Sequence, residues 1–172
     1  MSPERRSPSR SRRSGKPQGQ QDEFDQKVLD IARVTRVMAG GKRMRFRACV
    51  VIGDRKGKIG FGVAKGADVS TAIAKSVSHA KKHLQKVPVY EGTIPHESWS
   101  KFHAAKVLLR PARQGTGVIA GATVRAVVEL AGIKNIVSKV MGSKNVVNNV
   151  HATFDALTSM RPRPPRKQGG TV

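Results

Sequence analysis

The chain has 172 residues and a formal charge of +22, from 33 Lys and Arg against 11 Asp and Glu. Its length suits one or two small domains, and 38% hydrophobic with 4% aromatic residues is lean for one large globular body. No apolar run approaches the roughly 20 residues of a membrane-spanning helix, no signal-peptide pattern is read at the start, and the lone Cys49 excludes an internal disulfide or a cysteine-rich zinc site. A pI near 11.4 calls for a polyanionic partner, a nucleic acid or an acidic membrane surface.

Residues 1–21 carry Arg5, Arg6, Arg10, Arg12, Arg13 and Lys16 against Glu4, among Ser, Pro and Gln. Such a segment buries too little apolar surface to offset its ordering entropy and is expected to be disordered. It is Ser/Arg-rich like an organelle transit peptide but lacks the amphipathic stripe of one. Residues 159–172 form a second basic tail, kept extended by Pro162, Pro164 and Pro165. The body between them is basic in its own right.

Within 27–38 the pattern is mixed. Phe24, Val28 and Ile31 suit a helix and Val34 to Val37 a strand, so a short helical or irregular start followed by a strand is expected. Gly40-Gly41 then turns the chain. Met44, Phe46, Ala48, Val50 and Ile52 alternate with Arg43, Arg45, Arg47, Cys49 and Val51, which predicts a strand with one buried face. The turn Gly53 to Gly57 leads into a second alternation at Ile59, Phe61 and Val63, closing an antiparallel hairpin.

Asp68 is a candidate N-cap for a helix with the stripe Val69, Ala72, Ile73, Ser76, Val77, Ala80 and Leu84, ended by Pro88. Residues 22–86 thus read as three antiparallel strands covered by a helix. Residues 87–104 connect, and Val107 and Leu109 mark another strand. A loop follows at Pro111 to Gly117, then a helix with the stripe Val124, Val127, Val128 and Ala131, stopped by Gly132. Ile133 to Val140 reads as a strand and Val146 to Leu157 as a last helix. The fold class is α+β in two small units, 22–86 and 87–158.

Two glycine-rich stretches invite a nucleotide reading, and both lack parts of it. Gly53 to Ile59 is one residue short of a P-loop, and Ile59 stands where Ser or Thr would reach magnesium. Gly115 to Ala120 fits the glycine pattern of a dinucleotide turn, with no acid about 20 residues on to hold a ribose. The five histidines form no ligand set with nearby acids, and no serine stands in a nucleophile elbow. Catalysis, cofactors and metals are not expected.

Cations carry the signal. Period two places Arg43, Arg45 and Arg47 on one strand face about 6.5–7 Å apart, close to the phosphate spacing of a nucleic-acid strand. Arg36, Lys42, Arg55, Lys56, Lys58 and Lys65 fall within the same thirty residues, where Asp54 is the only acid. The tip Gly40-Gly41 frees the backbone to offer N–H groups to phosphates. Few aromatics are available for stacking, because Tyr90, Trp99 and Phe102 fall in the connector. Recognition of folded RNA by shape and backbone is therefore expected.

The runs Arg33–Phe46, Val50–Gly62, Gly92–His96, Leu109–Gly121, Gly132–Asn135 and Gly142–Asn145 resemble the bacterial small-subunit ribosomal protein S-five family, in family order over about 24–160. The resemblance implies an N-terminal domain like the double-stranded-RNA-binding fold, a second α+β domain, and a structural, non-enzymatic role on small-subunit ribosomal RNA in the cytoplasm. It implies that the hairpin Gly40–Arg43 probes that RNA. It places the region Pro111–Gly117 near ribosomal protein S-four, where contacts influence decoding accuracy, and Arg110, Arg113, Gln114, Gly115, Thr116 and Gly117 are candidates for a loop that meets a protein partner or RNA. The C-terminal part would approach ribosomal protein S-eight, and basic residues would line the messenger RNA entry channel. The chain departs from the family at Ala39, often Lys, and at Val146, usually Pro; Asp68 stands where free duplex-binding domains cluster Lys. The rival readings are a free-standing RNA chaperone or duplex-RNA-binding protein, and a nucleotide-dependent enzyme built on Gly115–Gly121.

Overall fold

A computed structural model describes residues 24–162. The tail expectation for 1–21 and, from residue 163 on, that for 159–172 lie outside the described residues; of the described part, Met160 is buried in the core, so the packed body extends past 158. The elements run β1 (Asp25–Met38), β2 (Gly41–Gly53), β3 (Lys58–Gly66), α1 (Val69–Lys82), β4 (Gln85–Lys86), β5 (Ser98–Phe102), β6 (Ala105–Pro111), β7 (Val118–Ile119), α2 (Ala122–Ala131), β8 (Ile136–Gly142) and α3 (Val146–Thr158). They build two sheets, one ordered β1-β2-β3-β4 and the other β5-β6-β8-β7. The second is antiparallel except for the β7–β8 pair.

The expected helical or irregular start is instead strand from Asp25 onward. The register explains the misreading: Val28 pairs with Val50 and Asp30 with Cys49, so Leu29 is an extra, bulged residue. The bulge puts Val28 and Ile31 on the same sheet face at a spacing of three, which imitates a helix. The first sheet also has a fourth strand, because α1 stops at Lys82 and Gln85–Lys86 then pair with Lys58 and Ile59 at the start of β3. Trp99 and Phe102, assigned to the connector, lie on β5.

The helix α1 packs on β3 and β2 through small residues. Gly60, Gly62 and Gly66 share the sheet face beneath it, and Ala72, Ser76 and Ala80 on the helix are buried. A Cβ at Gly62 would lie 2.1 Å from the Ser76 carbonyl oxygen, and one at Gly60 would lie 2.6 Å from that of Ala80. The Ser76 hydroxyl sits 3.0 Å from the Ala48 carbonyl, tying the helix to β2. At the helix start, Asp68 N–H donates to Thr71 Oγ1, which donates back to the Asp68 carbonyl.

β2 has two buried faces over its inner half, where one was expected. Ala48, Val50 and Ile52 pack beneath α1 with Ala72 and Ala80. Cys49 and Val51 point the other way, into a larger core with Ile59, Val127, Phe154 and Leu157. The layers therefore run α1, first sheet, α2 with α3, second sheet. Ala105, Val107 and Leu109 of β6 close the core from the far side. The junction is tight: a Cβ at Gly53 would meet the Leu130 carbonyl oxygen at 2.3 Å, and Arg55 N–H donates to that same carbonyl at 3.0 Å. Gly132 ends α2 in the left-handed region at φ 84°, as a C-terminal glycine stop should. Asn145 caps α3 by accepting from Val147 N–H at 3.0 Å, so Val146 in place of proline leaves the helix start intact.

Burial raises the Cys49 thiol to about 11, with the Asp30 carboxylate adding to the rise. The thiol should resist a maleimide at pH 8 in the native protein and react on unfolding. The folded state holds the proton that the unfolded chain gives up near pH 9. This contribution to stability is therefore present below pH 9 and lost as pH climbs towards 11, a fall that urea titrations at pH 8 and 10.5 will measure.

Candidate nucleic-acid interface

β3 pairs with β2 only from Phe46 inward, so the outer ends of β1 and β2 form a two-stranded arm tipped by Ala39-Gly40. No acid occurs between Ile31 and Gly53. Arg36 stands directly opposite Arg43, Val34 opposite Arg45, and Lys65 opposite Arg47, all on one face. Arg36, Arg43, Arg45 and Lys65 line a shallow groove of about 280 Å³ with Val34 and Met38. Four same-sign side chains exposed together have no internal reason to be there, since their mutual repulsion is relieved only by an anion from outside.

The other predicted cations separate from this group. Arg47 reaches Asp30 Oδ2 on β1 at 3.2 Å, both about one-third exposed. Arg55, at φ 55°, pairs with Asp25 at 2.6 Å. The window 36–65 holds one acid, and the two that matter, Asp25 and Asp30, stand just before it on β1. Lys56 and Lys58 sit at the β2–β3 turn, the opposite end of β2 from Lys42, Gly40 and Gly41, roughly 40 Å away by strand rise. The nine cations thus divide into a cluster on the arm and a smaller one at the inner turn.

Both glycine-rich stretches have their N–H groups engaged. Asp54 Oδ1 accepts from Lys56 N–H at 2.7 Å and Lys58 N–H at 2.9 Å. Asn135 Oδ1 accepts from Gly115 and Gly117, each at 3.1 Å. Neither turn aims these donors at a phosphate. The second arrangement instead fixes an exposed loop, with Arg113, Gln114 and Thr116 facing solvent and Arg110 pairing with Glu97 at 3.1 Å. Asn135 is itself buried. Asn135→Ala removes the shared acceptor of exposed Gly115 and half-buried Gly117 and should cost about 1 kcal/mol, with faster amide exchange at both; Asn135→Asp keeps the acceptor and should restore protection.

The histidines scatter. His79 and His83 stack on α1 with centroids 4.6 Å apart, and His151 stacks on Phe102 at 4.4 Å. Burial lowers the pKa of His151, opposed by Asp155 and aided by His103.

These features define a basic α+β protein organised around a cationic strand arm. Residues 24–88 match the family description "Ribosomal protein S5, N-terminal domain", and residues 100–164 match "Ribosomal protein S5, C-terminal domain". The chain is 49% identical over 141 residues to the small ribosomal subunit protein uS5 of Thermotoga petrophila, covering 82% of this chain and 79% of that one. It is 50% identical over 140 residues to uS5c of Emiliania huxleyi, covering 81% and 88%. It is 47% identical over 151 residues to uS5 of Treponema pallidum, covering 88% of each. The chain belongs to the ribosomal protein S5 family, a structural and non-enzymatic one.

Proposed function

We propose that this chain is a structural constituent of the small ribosomal subunit in the cytoplasm and binds small-subunit ribosomal RNA through the β1–β2 arm. The observation that carries this reading is the acid-free arm with Arg36, Arg43, Arg45 and Lys65 gathered in one groove. In this reading Gly40, Gly41 and Lys42 are the leading edge, entering an RNA crevice with little side-chain bulk. Lys56 and Lys58 serve a second phosphate contact, while Arg47 and Arg55 brace the fold. The modules are 22–86 and 87–158, with basic tails on either side.

The loop Arg110 to Gly117, held from behind by Asn135, is the surface we assign to ribosomal protein S-four and to decoding accuracy. The C-terminal module faces ribosomal protein S-eight, and the exposed cations contribute to the messenger RNA entry channel. No described helix is long and apolar enough to cross a membrane. Gradient sedimentation of lysate tests the assignment: the protein should travel with the small subunit at physiological salt and leave it as salt rises. A protein that stays at the top of the gradient at every salt concentration is a free RNA binder instead.

A further inference from the structure

The two sheets differ in what covers their outer faces. The first lies under α1. The second has α2 and α3 on its inner side, where Ala105, Val107 and Leu109 are fully buried, and no described helix lies over the other. Its register aligns the outward-facing side chains in three rows, with Lys106, Leu108 and Val137 half-buried between exposed neighbours. Trp99, Leu108 and Lys139 form the middle row. Lys101, Lys106 and Met141 form the row on one side, and Arg110, Val137 and Ile119 the row on the other. Trp99 is 59% exposed, Ile119 53% and Met141 43%.

We propose that this open sheet face binds an unpaired RNA segment, with a base stacked on Trp99 and the backbone tracked by Lys101, Lys106 and Lys139. Every row holds both apolar surface and a cation, on strands about 4.8 Å apart. A nucleotide likewise presents a flat ring and an anion together. Protein-binding patches have cores depleted in lysine, whereas here two lysines stand on the central strands β6 and β8. Lys106 Nζ already lies 5.9 Å from the Trp99 ring centre, on a ring open to solvent. Arg110 is held by Glu97 and marks the edge of the patch. The proposal deepens the RNA-binding reading and rests on it, but uses a second surface of different chemistry: stacking on unpaired bases, where the arm meets phosphates.

Trp99 is the only tryptophan in the chain, so its emission reports on this face alone. Titrating the full-length protein with an oligouridine of about ten nucleotides, within the footprint such surfaces hold, should quench that emission saturably; a duplex of equal length should not. Measured by anisotropy of the labelled oligomer, Trp99→Ala should weaken binding at least about fivefold. The triple change Lys101→Ala, Lys106→Ala, Lys139→Ala should weaken it about tenfold or more. Oligouridine that binds without altering the emission overturns the proposal and leaves the arm reading standing. Failure to bind any RNA removes both. Equal quenching by oligoglutamate overturns it in favour of an acidic protein partner.

Discussion

Gly62→Ala should unfold the protein at markedly lower urea, with a loss of about 3 kcal/mol. The added methyl carbon would stand 2.1 Å from the Ser76 carbonyl oxygen and 2.9 Å from the Ala80 nitrogen, both backbone atoms of α1. No rotamer change can clear them. The helix must lift as a unit, which opens the packing of Ala72 and Ala80 over Ala48, Val50 and Ile52 and pulls the Ser76 hydroxyl from the Ala48 carbonyl. The matched control is Gly40→Ala at the arm tip, where a Cβ meets nothing within 4 Å. It should shift stability by less than about 0.5 kcal/mol. Equal midpoints for the two variants would mean that α1 does not sit as close to β3 as described.

The second large effect belongs to the arm. Replacing Arg36, Arg43 and Arg45 together by alanine should weaken ribosomal RNA binding about a hundredfold near 0.1 M salt and make the slope of log affinity against log salt shallower by about 2 to 3. All three are exposed side chains of one groove, so the fold should survive and the thermal midpoint should move little. Arg47→Ala should behave oppositely. Arg47 is tied to Asp30 and its Nε is buried without a hydrogen-bond partner, so its loss leaves a half-buried carboxylate unpaired. The expected cost is about 1 kcal/mol of stability, with the salt slope nearly unchanged. If Arg47→Ala instead flattens the slope as much as Arg43→Ala, that arginine has left Asp30 for phosphate.

Alternation along one strand was readable wherever neighbouring strands did not intervene. The face shared by Arg43 and Arg45, the helix stripe Val124–Ala131 and its stop at Gly132 all follow from local chemistry. What escaped depends on partners distant in sequence. The bulge at Leu29 is defined only against β2, so Phe24, Val28 and Ile31 look helical when read alone. Met44 continues the alternation of Ala48 and Val50, yet it is half exposed because β3 stops short of it. The Arg47–Asp30 and Arg55–Asp25 pairs needed the β1–β2 register, and the role of Asn135 needed the fold that carries it to Gly115. Trp99 reads as connector because Ser98–Phe102 is a short strand with serine at alternate positions, a weak signal without β6 beside it.

The doubly buried inner half of β2 sets an order on the birth of the molecule. Cys49, Val51 and Ile59 find their cover in Val127 and, about a hundred positions further along the chain than themselves, in Phe154 and Leu157 of α3. During synthesis the N-terminal hairpin emerges with one apolar side open to water, and it stays so until α3 has cleared the exit of the ribosome making it. At about 5–20 residues per second, that wait lasts roughly 5–20 s, ample time for a chaperone to visit or for two nascent chains to stick. A fragment ending after α1 would carry the same wet face permanently and should be recovered from the insoluble fraction.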